Sequence, residues 1–204
     1  MDADLIIRGG TIADGLGGEP YEADIVTGGG RILAVGKLGP AERGIEEMDA
    51  RGLLVTPGFV DVHTHYDAQA TWSERLGSFS FHGVTTALIG NCGVGFAPCT
   101  PERWDIRVAL MEGVEDLPEV VLTEGLPWSW KSFPEFLDFL DGRRYDMDIA
   151  AQVPHAALRI HVMGQRAADH EQASEADRAE MARLAAEAVR AGALGFSTSR
   201  RARP

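Results

Sequence analysis

Cysteine is scarce: Cys92 and Cys99 are the only two in 204 residues. Two are too few for a disulfide framework, so each is a candidate for reactivity, metal binding or plain burial. Basic residues are outnumbered, with 19 Lys plus Arg against 31 Asp plus Glu and a formal charge of −12. That balance repels a phosphate backbone, and the pairs Arg143-Arg144 and Arg200-Arg201 are too short to make a nucleic-acid footprint, so nucleic acid is excluded as the expected partner. No run approaches the roughly 18 apolar residues of a membrane span. The start, Met1-Asp2-Ala3-Asp4, is acidic where a signal peptide is basic, and a soluble cytoplasmic protein with no membrane partner is expected. What is present is an ordinary globular composition, 45% hydrophobic and 25% charged, enough for a real core.

Residues 1–57 read as short β segments: Leu5-Ile6-Ile7, Ala23 to Val26, Arg31 to Val35 and Gly52 to Val55. Glycines at Gly9-Gly10, Gly15 to Gly18 and Gly28 to Gly30 punctuate them as tight hairpin turns do, and the segment is expected to form strands of a small β sandwich. A phosphate cradle is a poor alternative, because Gly30 to Lys37 lacks the P-loop spacing and no Ser or Thr follows the lysine.

Residues 58–204 change pattern to strands alternating with helices. Phe59 to His63, Val84 to Ile89, Ile149 to Val153 and Ala193 to Ser197 are apolar, β-rich runs suited to a sheet covered on both faces. Ser132 with Glu135 makes a capping box for a helix carrying Phe133, Phe136, Leu137 and Leu140 on one face and stopping at Gly142. Ser174 caps a second helix with a buried stripe of Met181, Leu184, Ala185, Ala188 and Val189, ended by Gly192. Repeated βα units make an α/β protein with a parallel sheet, either doubly wound or a (β/α)8 barrel. A complete barrel takes about 250 residues, whereas about 147 remain after residue 57. Four strands are half a barrel, and such a half leaves parallel edges open to self-association, so a homo-oligomer is one expected outcome.

Pro57-Gly58-Phe59-Val60-Asp61-Val62-His63-Thr64-His65 is the strongest constellation. Side chains at i and i+2 of a strand share a face, which projects His63 and His65 together while Asp61 and Thr64 stand close enough to support them. Two adjacent neutral imidazoles at the C-terminal end of a barrel strand are a natural clasp for zinc. Cys92 follows the second buried strand and would reach the same rim, where a metal would hold it as thiolate. The plainer alternative for either cysteine is a small buried hydrophobe, and for Cys99, which has no nearby ligands in sequence, it is the better one. His155 follows the third strand and is suited either to binding substrate or to a structural role. His82 belongs to the opposite rim, and His161 and His170 sit in polar stretches that say little. Trp128 and Trp130 suit packing before a capped helix.

These motifs resemble the amidohydrolase superfamily, whose first barrel strand ends in His-x-His. His63-Thr64-His65-Tyr66-Asp67, Gly83-Val84-Thr85-Thr86, Ile89-Gly90-Asn91-Cys92-Gly93 through Ala97-Pro98, and Gly192 to Ser199 are similar to the N-acyl-D-amino-acid deacylases, the D-aminoacylase branch. The resemblance implies the N-terminal portion of a metal-dependent hydrolase with a (β/α)8 TIM-like barrel beside a composite β sandwich. It implies zinc as cofactor, held by His63, His65 and Cys92, with Asp61, Tyr66, Asp67, Asn91, His155 and Arg159 supporting the ligands or meeting substrate. Further ligands, substrate-carboxylate recognition and a catalytic general-base aspartate are expected beyond residue 204. The implied reaction hydrolyses the linear amide of a small N-acyl-D-amino acid to a carboxylate and a D-amino acid. Hydrolysis of cyclic amides is the alternative within the superfamily; a lysine ending the fourth strand would favour it, and that strand ends Ser197-Thr198-Ser199. A different class of outcome is a truncated, non-catalytic fragment that binds metal or oligomerises, which the basic tail Arg200 to Pro204 favours.

Overall fold

The computed structural model of the chain describes residues 3–39, 42–115 and 118–199. Met1-Asp2 of the acidic start and the tail Arg200 to Pro204 lie outside the described residues. The chain divides into two compact units, Met1–Gly58 and Phe59–Pro204.

The strands expected of a small sandwich form a single five-stranded sheet in the first unit. β1 (Leu5–Ile12) runs antiparallel to β2 (Tyr21–Gly28), which pairs antiparallel with β3 (Arg31–Gly36) through the two-residue turn Gly29-Gly30. β4 (Glu46–Asp49) and β5 (Leu54–Val55) both add parallel to β1, as Leu5↔Glu46 and Thr11↔Leu54 register shows. Alternation along the strands gives each face a small apolar cluster: Ile6 with Val26 on one, and Ile7, Ile12 and Ile25 on the other.

One expectation for this unit is corrected, and one strand that the sequence reading did not include is added. Gly9-Gly10 is not a turn but a bulge inside β1, where the register with β2 shifts between Ile7 and Gly10. A Cβ on Gly10 would lie 2.5 Å from Val55 Cγ2, so only a hydrogen fits where β5 crosses. β4 carries the charged run Glu46-Glu47-Met48-Asp49 with every residue exposed, as an edge strand does, and its sequence shows no apolar alternation to reveal it.

In the second unit β6 (Phe59–Asp61), β7 (Val84–Ile89) and β8 (Asp148–Ala151) form a parallel sheet, and β9 (Val153–Pro154) pairs parallel with β10 (Phe196–Ser197). The expected third strand is therefore divided at Gln152: its first half pairs with β7 and its second with β10. Gln152 covers the joint, its N–H donating to Ile89 O at 2.9 Å.

Helices fill the connections: α1 (Gln69–Trp72), α2 (Gly77–Ser80), α3 (Trp104–Glu115), α4 (Glu119–Gly125), α5 (Phe133–Asp141), α6 (His155–Met163), α7 (Gln165–Ala168) and α8 (Glu175–Ala191). The capping box at α5 forms as expected, with Glu135 N–H on Ser132 Oγ and the Glu135 carboxylate on Ser132 N–H. At α8, Ser174 caps and Asp177 completes a second box. Ala188 of the α8 stripe is fully buried, but Val189 is 48% exposed and leaves the stripe: one residue beyond Ala188, it is turned by 100° away from the core.

Phe133, Phe136 and Leu140 of α5 pack with Ile89, Phe96, Val153 and Trp130 into the main core. Trp130 is its largest buried side chain, donating Nε1–H to Phe96 O at 3.0 Å, and Cys99 is buried with its thiol pushed up to about 11 by loss of solvent. No helix among the described residues is long and apolar enough to cross a membrane.

Candidate metal centre and cavity

Because β6, β7, β9 and β10 are parallel, the segments following them emerge at one edge of the second unit, the edge on which barrel enzymes build their sites. β6 stops at Asp61, two residues before the histidines. The pairing extends past it, because Thr64, buried, donates both its N–H and its hydroxyl to Leu88 O at 3.2 and 2.9 Å. Asp61 Oδ1 accepts the His63 N–H at 3.1 Å. The His63 and His65 rings then lie with centroids 5.6 Å apart.

After β7 the chain turns sharply through Gly90, Asn91, Cys92 and Gly93. Gly90 has φ of 81°, and a Cβ on it would fall 2.1 Å from Gln152 O, so no other residue fits. Cys92 itself holds φ of 55°, an uncommon conformation for a non-glycine residue. Four side chains hold this turn. Asp67, buried, accepts Gly90 N–H at 2.8 Å. Asn91 donates to Leu88 O at 2.7 Å and to Thr64 O at 3.3 Å while accepting from Gln152 Nε2 at 3.3 Å. Ser197, on β10, donates its hydroxyl to Gly90 O and accepts Gly93 N–H at 2.9 Å.

The result is that His63 Nε2 lies 3.1 Å from Cys92 Sγ. One ligand atom each from His63, His65 and Cys92 all fall within 4.8 Å of one another. A common centre at Zn–N of about 2.0–2.1 Å and Zn–S of about 2.3 Å separates ligand atoms by well under that limit, and two imidazoles with a thiolate are a donor set zinc favours. The residues present fit a divalent metal.

Beside this cluster is a cavity of about 450 Å³ lined by His65 and Cys92, by Arg107 and Met111 of α3, by His155 and Arg159 of α6, and by His170. His155 Nδ1 lies 2.9 Å from Thr198 Oγ1, and its ring lies 5.5 Å from that of Phe196. Burial, and then the Arg159 charge, lowers its pKa below the ordinary 6.5, which keeps the imidazole neutral at pH 7. Arg159 donates to Glu171 O at 2.9 Å.

Of the residues singled out in sequence, His65, Cys92, His155 and Arg159 share the cavity wall, and His63 abuts Cys92. Asp67 and Asn91 stand behind the turn, and Asp61 anchors the histidine segment. Tyr66 instead packs edge-on against Phe79 at 4.7 Å beside Leu76, Ala87 and Met147, with burial raising its pKa. Sequence reasoning missed Arg107, His170 and the bridging role of Ser197. A lone arginine on a helix, or a histidine in a polar loop, carries no signal of its own; only the fold brings them to the cavity.

The sequence profile of the Amidohydrolase family matches residues 46–204. An N-acyl-D-glutamate deacylase of Alcaligenes xylosoxydans xylosoxydans is 35% identical over 96% of the chain, which spans 37% of that relative's length. A D-aminoacylase structure studied for its binuclear metal centre superimposes with a TM-score of 0.81 at 32% identity, covering 96% of this chain and 38% of its own. The N-acyl-D-glutamate deacylase of Bordetella bronchiseptica, solved with zinc and a phosphonate mimic of the tetrahedral intermediate, gives a TM-score of 0.75 at 33% identity over 97% of this chain and 38% of its own. Matched by that profile over most of its length, with the half-barrel strand order and a His-x-His plus cysteine cluster at the expected edge, the chain belongs to the amidohydrolase family.

Proposed function

We propose that this chain supplies the metal-binding part of a zinc hydrolase that cleaves the linear amide of an N-acyl-D-amino acid, giving a carboxylate and a D-amino acid. The observation that carries the proposal is the convergence of His63, His65 and Cys92 ligand atoms within 4.8 Å beside a cavity large enough for a small molecule. When bound, zinc supplies Lewis-acid polarisation of the amide carbonyl and a more acidic water. The chain's own residues position the rest: Asp61 and Thr64 fix the backbone that carries the histidines, and Asp67, Asn91 and Ser197 fix the turn that carries Cys92. Neutral His155, tied to Thr198, presents a polar wall across the cavity. A longer parent chain would contribute the general-base aspartate, since the present chain spans 37% of its relative's length.

The test is metal content and substrate preference together. Wild-type protein loaded with zinc and dialysed is expected to retain it, whereas the double variant His63→Ala/His65→Ala, shown to be folded by circular dichroism, is expected to lose it. A longer parent chain is expected to release amino acid from N-acetyl-D-methionine far faster than from the L enantiomer. Normal zinc content in the folded double variant refutes the ligand assignment, and turnover of hydantoins alone moves the protein to cyclic-amide hydrolysis.

A further inference from the structure

Two side chains of opposite charge are buried beside the segment that follows Cys92. Asp67 is 4% exposed. Its Oδ1 accepts Gly90 N–H at 2.8 Å, and a Cβ on Gly95 would lie 2.9 Å from that same oxygen, so the backbone from Gly90 to Gly95 wraps around the carboxylate. Arg107, on α3, is 0% exposed, and its Cζ stands 5.9 Å from the ring of Phe96, the residue after Gly95. Burial lowers its pKa to about 10, against the opposing pull of Cys99 and Asp67, so it is a cation at neutral pH. Cys99, pushed up to about 11 by burial, is a neutral thiol there, which leaves Asp67 as the counter-charge. The guanidinium nitrogens are closed to solvent and make no hydrogen bond among the described residues, so Asp67 acts on Arg107 through its charge. A single ion out of water is costly, and removing one partner of a buried pair costs far more than removing both.

We propose that Arg107 is a positioning residue for the metal centre: from α3 it supplies the buried counter-charge that lets the Asp67 carboxylate hold Gly90, and through Gly90 the turn that presents Cys92. The inference rests on the metal assignment of His63, His65 and Cys92 made above, and it adds α3 to the elements that shape that centre. An ionised acceptor grips a backbone N–H about twice as strongly as a neutral one. Without Arg107 the uncompensated carboxylate draws water toward itself, and the turn wrapped around it is the backbone that gives way. Asn in place of Asp67 removes the need for the cation, since an amide oxygen still accepts Gly90 N–H. The two side chains are therefore coupled: losing both disturbs Cys92 less than losing Arg107 alone.

The experiment uses the 204-residue chain and compares wild type, Arg107→Met, Asp67→Asn and the double variant. Zinc affinity is read by competition with a chromophoric chelator. Cobalt(II) then replaces zinc, so that the thiolate-to-cobalt charge-transfer band in the near ultraviolet reports on Cys92. Arg107→Met is expected to weaken zinc about tenfold, within the range for coupled neighbours, and to diminish the band at saturating cobalt. The double variant is expected to bind zinc within about threefold of wild type, on the same scale, with the band restored. Asp67→Asn, which leaves the cation bare, is expected to fall between them. Arg107→Lys keeps the charge and is expected to keep the band. Arg183→Met, in an exposed ion pair of α8, is the control and is expected to change neither readout. Losses that simply add in the double variant overturn the proposal, as does wild-type affinity with a full band in Arg107→Met. If Arg107→Met does not fold, the double variant decides: folded with zinc and band it supports the coupling, and unfolded or without zinc it overturns it. Wild-type protein that shows no thiolate band refutes the metal centre, and the proposal with it, whereas a normal wild-type band with additive losses refutes the role of Arg107 alone.

Discussion

Ser197→Ala tests whether the turn carrying Cys92 is held from the fourth barrel strand. The Ser197 hydroxyl is buried, donating to Gly90 O and accepting Gly93 N–H at 2.9 Å, so it grips the residues on both sides of the Asn91-Cys92 pair. Alanine removes one oxygen atom and leaves negligible void, so the cost comes from polar groups. A buried C=O and N–H left without partners lose about 1–3 kcal/mol each, and partial relaxation brings the total to about 2–4 kcal/mol. At about 2–4 °C per kcal/mol for a chain of this length, the melting temperature falls by roughly 5–15 °C. The metal also loses a pre-ordered ligand. Re-fixing one or two loosened backbone residues on binding costs about 1–2 kcal/mol, which weakens zinc by about five- to thirtyfold. Thermal unfolding by calorimetry and zinc titration against a chromophoric chelator measure both, with exposed Ser129→Ala as the control. A Ser197→Ala protein that melts within about 1 °C of wild type, on the scale that one kcal/mol sets, refutes the bridging role. Lost stability with unchanged zinc affinity refutes the link from Ser197 to Cys92.

Asp177 bonds Arg166 at 2.8 and 3.0 Å and also Ser174, and these partners, Arg166 first, hold its carboxyl well below the ordinary carboxylate range. A carboxylate with a depressed native pKa stabilises the fold fully above its unfolded value of about 4 and loses that contribution as the pH falls further. Asp177→Asn is therefore expected to flatten the acid limb of a melting-temperature profile; parallel acid limbs for both proteins would count against it. Arg159→Ala is expected to raise the pKa of His155 without restoring it to 6.5, since burial is the larger cause of its depression. An NMR titration of the imidazole checks this, and an unmoved midpoint removes Arg159 from the site's electrostatics.

Local rules were legible where one stretch of chain decides the outcome. The Ser132 and Ser174 caps, the β7 span Val84–Ile89 and the stop at Gly192 are written in adjacent residues and form as read. The proximity of His63, His65 and Cys92 was legible because two parallel strands ending at one edge require it. The rest depends on distant chain. Gly9-Gly10 looks like a turn until β5 crosses it, and the third strand looks continuous until its two halves find different neighbours at Gln152. Arg107 reaches the cavity from a helix whose sequence gives no hint of what it faces.

The cation-lined cavity in an acidic chain also has a kinetic consequence. At low ionic strength the net charge of −12 repels an approaching anion over distances at which Arg107 and Arg159 of the cavity wall are outweighed, so encounter is slowed. Added salt screens the long-range repulsion beyond about 8–10 Å but barely reaches a group held out of solvent. An anionic ligand should then enter faster, not slower, as ionic strength rises toward physiological values, the reverse of the salt response of a surface basic patch.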